Sequence, residues 1–65
     1  MSSKNKLFYN ASMVLVQTAV FVKEVDEKFA KKILDKAQEY ADQITVDDEI
    51  EKEVNEFEQK IKEGI

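Results

Sequence analysis

Cysteine, histidine, proline, arginine and tryptophan are all missing from this 65-residue chain, and glycine occurs once, at Gly64. Without cysteine or histidine there is no disulfide scaffold and no thiolate or imidazole zinc site, the devices that usually stabilise very small domains. The absence of cysteine fits any compartment, so the cytoplasm stands only as the default. With no proline and one glycine, the chain lacks the residues favoured in tight hairpin turns and left-handed backbone positions, so long helices are expected rather than sheets. The absence of arginine removes the side chain best suited to bidentate phosphate or guanine recognition, which makes nucleic acid a poor candidate as partner.

The same gaps narrow the chemistry. General acid–base work near neutral pH usually recruits histidine, and nucleophilic catalysis recruits Ser, Thr or Cys beside a base. Fourteen Asp and Glu remain, but they lie on segments whose apolar faces point elsewhere, so they are expected to be solvated acids. The densest group, Asp47, Asp48, Glu49, Glu51 and Glu53, lacks the alternate-residue spacing and central glycine of a calcium loop. Gly64 stands alone, so no phosphate-binding glycine loop exists. A non-enzymatic protein is expected, with no catalytic residue, no cofactor and no metal ligand.

Sixty-five residues make one domain at most, 1–65, and a chain of this size buries only about 60% of the surface it exposes when unfolded. Stability must then come from helix packing, self-association or a partner. Four stretches are visible along it. Residues 1–6 are a polar start, 7–22 an apolar segment, 26–44 an amphipathic helix and 45–63 an acidic amphipathic helix. Charge divides with them. Residues 1–22 carry Lys4 and Lys6 and no acid, whereas residues 23–65 carry eight Lys and all fourteen acids.

The apolar segment reads LFYNASMVLVQTAVFV, with Asn10 and Gln17 on one narrow stripe of a helical wheel and nearly every other position apolar. A helix is expected here. The heptad set Phe8, Leu15, Val22 and Phe29 suggests that it continues into the next segment. Its valines leave a strand near Ala19–Val25 as the alternative. Residues 26–44 place Phe29, Ala30, Ile33, Leu34, Ala37, Tyr40, Ala41 and Ile44 on one broad stripe, with Asp26 as N-cap and Glu24–Lys28 and Glu27–Lys31 as i,i+4 pairs. In the last segment Val46, Ile50, Val54, Phe57 and Ile61 form a narrow coiled-coil-like seam, with Thr45 as expected N-cap and Gly64 as stop.

The fold class that follows is all-α, a two- or three-helix hairpin or bundle completed by self-association or by a partner. Two short helices cover only part of a helix that is apolar around most of its circumference, and an uncovered apolar strip usually marks a binding surface. The expected function is therefore a small protein–protein interaction module, an accessory subunit, regulator or inhibitor. Its interface is drawn from Leu7, Phe8, Tyr9, Leu15, Val16, Val20, Phe21 and Val22.

Two other readings stay open at this point. Residues 7–22 could form a short membrane span, with Lys4 and Lys6 on the cytoplasmic side, although sixteen residues reach only roughly 24 Å against a ~30 Å hydrocarbon core. A cleaved leader is not expected, because Val20, Phe21 and Val22 are bulky where small residues should stand. Separately, VFVKEVDEKF followed by ITVDDEIEKEVNEF resembles the strand, first helix and second helix of ribbon-helix-helix DNA-binding proteins over residues 20–57. That resemblance implies an intertwined dimer with a two-stranded ribbon in the major groove.

Overall fold

A computed structural model describes residues 2–64, which form three helices: α1 (Ser3–Lys23), α2 (Glu27–Ala41) and α3 (Glu51–Lys62). Helix α1 starts where the Ser2 side chain accepts from the Asn5 N–H at 3.1 Å, satisfying one of the N–H groups that have no partner inside the helix. It runs through the apolar segment and past it, so residues 20–23 are helical. The expected alternative of a strand near Ala19–Val25 is thereby corrected. Among the described residues there is no strand, and the ribbon that the resemblance implied is absent with it.

The α1 helix does not run on into α2. The N–H groups of Val25 and Asp26 both donate to the Val22 carbonyl, at 2.9 and 2.7 Å. Asp26 then turns to an extended conformation, φ −151°, and its carboxylate accepts from the Phe29 N–H at 3.1 Å. One residue both stops α1 and caps α2, which is how the chain reverses without glycine or proline. The cap at Asp26 is as expected. The heptad linking Phe8, Leu15 and Val22 to Phe29 is interrupted, however, and Phe29 is exposed.

The antiparallel pair α1 and α2 is held by small residues. Ser12, fully buried, donates from Oγ to the Ala37 carbonyl at 2.7 Å. Asn5 and Thr45 are bonded to each other further along. These two pairings set a register that carries Ala19 opposite Ala30, both buried. Small side chains let two backbones approach closely enough for a hydroxyl to reach the opposite main chain, and that approach identifies the face of α1 turned inward.

The link between α2 and α3 is ordered by its own side chains. Ile44 is buried, and the Asp47 carboxylate accepts from the Glu49 and Ile50 N–H groups at 3.0 and 3.2 Å. Helix α3 therefore begins at Glu51, later than expected and without a side-chain cap of its own; Asp47, rather than Thr45, orders the turn that leads into it. Ile50, Val54, Phe57 and Ile61 are buried as the seam predicts, while Val46 is exposed. At the far end Gly64 adopts φ +78° and its N–H bonds the Ile61 carbonyl at 3.0 Å, the left-handed stop expected of it.

Two apolar clusters join the helices: Val16, Ala37, Ala41, Phe57 and Ile61, and beside them Ile44, Ile50 and Val54. Tyr9 packs against both, its ring edge-on to Phe57 with centroids 4.9 Å apart. The result is a three-helix bundle, flattened to 38 × 19 × 14 Å. Surface charge adds little to it: among the described residues the one ion pair is Lys36–Glu39, at 3.0 Å, in place of the two pairs expected at residues 24–31.

Candidate interaction surface

The face of α1 turned away from α2 and α3 is apolar. Leu7, Val14 and Phe21 stand seven residues apart along it and are 66%, 59% and 78% exposed. Ala11 and Thr18 lie between them. Just past the helix, Val25 is 89% exposed. Leu7, Phe8, Ala11, Val14 and Leu15 line a shallow groove that Tyr40 of α2 closes on one side, and the Phe8 and Tyr40 rings sit 6.2 Å apart at its wall. Thr18 does not interrupt the apolar character, because its Oγ1–H donates to the Val14 carbonyl at 2.8 Å and leaves the methyl group to face outward.

The eight residues expected at an interface divide among four positions around α1. Leu7 and Phe21 stand on the exposed stripe, and Phe8, Leu15 and Val22 are half-buried along its edge. Val20 is exposed as well, but about 100° round the helix from Phe21, so it does not extend the stripe. Tyr9 and Val16 turn inward. Tyr9 bridges the two clusters, and Val16, 5% exposed, is a core residue. Val14, not among the eight expected residues, shares the exposed stripe. Its signal was the spacing Leu7, Ala11, Val14, Thr18, Phe21, alternately four and three, which was hidden in a segment where almost every register is apolar.

The membrane alternative for residues 7–22 is corrected here. Among the described residues no helix is long and apolar enough to cross a membrane. Helix α1 carries Lys4, Asn5, Lys6, Asn10, Ser12, Gln17 and Lys23, and its Asn5 and Ser12 side chains are spent on contacts with the rest of the bundle.

A second groove runs between α1 and α3, lined by Tyr9, Met13, Val16, Glu53, Glu56, Phe57 and Lys60. Its rim is charged and its floor is the core itself. On the other side of the bundle Gln38 Nε2 donates to Asp42 Oδ1 at 2.9 Å and to Glu58 Oε1 at 3.3 Å, drawing two carboxylates together. Burial first, and the neighbouring Asp42 second, push the Glu58 carboxyl above its ordinary pKa. Among the described residues no three acidic side chains converge on a point that would hold a metal ion. No known protein family, curated protein or solved structure matches this chain.

Proposed function

We propose that this domain is a non-enzymatic interaction module, a regulator or accessory subunit that associates through the outer face of α1. The observation that carries the reading is the stripe of Leu7, Val14 and Phe21, three large apolar side chains left mostly in solvent on a single helix face. Scattered exposed apolar residues are ordinary, but a contiguous row one helix long costs solubility and is usually covered in use. Charge is arranged in keeping with this, since the fourteen acids all follow residue 22 and leave the stripe itself uncharged.

A photo-activatable residue placed in cells at Val14, at Phe21 and, as control, at Lys52 on the exposed side of α3 tests the reading. Cross-linked adducts are expected from the first two positions and not from the third. Equal yields at all three, or no adduct at any, overturns it.

A further inference from the structure

We propose that the occupant of the α1 face is a second copy of this chain, laid antiparallel along α1 about a twofold axis level with residue 16. The proposal rests on the reading of that face as an association surface and names what covers it. Leu7, Ala11, Val14, Thr18 and Phe21 recur at spacings of four, three, four and three, and Val25 follows four further on. This is the 3.5-residue repeat by which one helix presents a continuous seam to another.

Side-chain size selects the direction. In an antiparallel pair the layers match Leu7 with the partner's Val25, Ala11 with the partner's Phe21 and Val14 with the partner's Thr18. The wide Phe21 and the longer Leu7 then each meet a narrower residue, Val14 and Thr18 match in size, and the exposed Phe21 ring fills the space over Ala11. A parallel pair stacks Phe21 on Phe21 and Ala11 on Ala11, a crowded layer beside an empty one.

The flanks agree with this. Along one edge the half-buried Phe8 meets the partner's Val22, and Leu15 meets its own copy, extending the apolar contact toward Tyr40. Along the other edge Asn10 faces the partner's Glu24 and Gln17 faces Gln17, polar pairs with no like charges opposed. At the ends, Lys4 and Lys6 of one copy approach the corner that carries Glu24, Asp26 and Glu27 beside Lys23 and Lys28, and the two helix dipoles oppose. The parallel arrangement instead places lysines against lysines.

The area is of the right scale. Leu7, Val14, Phe21 and Val25 are each more than half exposed, and a row of four such apolar side chains with the half-buried Phe8, Leu15 and Val22 beside them approaches the ~800 Å² per partner of a standard specific interface.

Light scattering on the purified chain is expected to give twice the 7.5 kDa of one copy, falling to one copy in Val14→Glu with helicity unchanged by circular dichroism. The absence of native cysteine makes direction separately testable. Mixing Ala11→Cys with Phe21→Cys is expected to form the mixed disulfide on oxidation, while Ala11→Cys alone does not link, its two copies lying ~15 Å apart along the seam. Self-linking of Ala11→Cys, or a dimer indifferent to Val14→Glu, overturns the arrangement. A single-copy mass at every concentration overturns the second copy as occupant. Cellular cross-links from Val14 to a different protein would in that case leave the broader interaction reading standing, and their absence would remove both.

Discussion

Asn5 and Thr45, forty residues apart, exchange two hydrogen bonds: Asn5 Nδ2 donates to the Thr45 carbonyl at 2.8 Å, and the Thr45 N–H donates to Asn5 Oδ1 at 2.9 Å. One side-chain amide thus satisfies both main-chain groups of a residue in the α2–α3 link and fastens that link to the first turn of α1. Asn5 is buried in doing so. Asn5→Ala leaves a donor and an acceptor without partners and is expected to cost about 2 kcal/mol. A urea melt checks this, and hydrogen exchange should show protection lost first over residues 42–50.

Where α1 crosses α2, space is scarcer than hydrogen bonds. Ser12→Ala removes the hydroxyl bonded to Ala37, yet that carbonyl still accepts within its own helix, so a loss of only about 1 kcal/mol is expected. Ala37 is fully buried in the same contact. Ala37→Leu must push the helices apart and is expected to cost about 3 kcal/mol, at the upper end for overpacking. Comparison of the two melting curves decides the order.

The start of α3 offers a comparison two residues apart. Asp47 accepts two main-chain N–H groups through its carboxylate, so Asp47→Ala is expected to lose about 1 kcal/mol. At Thr45 the main chain makes the bonds to Asn5. Thr45→Ala is expected to stay within about 0.5 kcal/mol of the parent, the range of ordinary surface changes.

Glu58 makes stability depend on pH. Its raised pKa means that the folded chain holds this proton more tightly than the unfolded chain does. The stabilisation from this group is therefore complete below the ordinary glutamate range and is lost as pH rises through the raised value. Glu58→Gln, which keeps an acceptor for Gln38, is expected to be the more stable protein at neutral pH, by a small margin because the group is partly solvated. The gap should close in acid. Urea midpoints at the two pH values test this, and a gap that persists in acid would assign the gain to packing instead.

Local chemistry was the part most readily read ahead of the fold. Asp26 caps α2 because an aspartate beside three free N–H groups needs nothing from the rest of the molecule, and Gly64 ends α3 for an equally local reason. Thr45 misled because it is as good a cap by type as Asp47. The bonds to Asn5 hold its main chain to α1, and that contact is invisible along the chain. Which of the apolar residues of α1 are exposed was legible only in part. Leu7 and Phe21 lie on the outer stripe with Val14, whereas Val16 is buried and Tyr9 packs against the core.

From the sequence alone came a chain of helices: no proline, one glycine, and apolar residues spaced at three and four in α2 and α3 leave little else. Which side of α1 is buried was decided only by the tertiary structure. Helix α1 is apolar almost all round and carries little directional signal of its own. Close approach to Ala30 and Ala37 demands small groups, so Ser12 and Ala19 turn inward, and Asn5 follows on the same face to reach Thr45. Leu7, Val14 and Phe21 share the opposite side of the helix, so the register that turns Ser12 and Ala19 inward leaves them outside, however apolar they are.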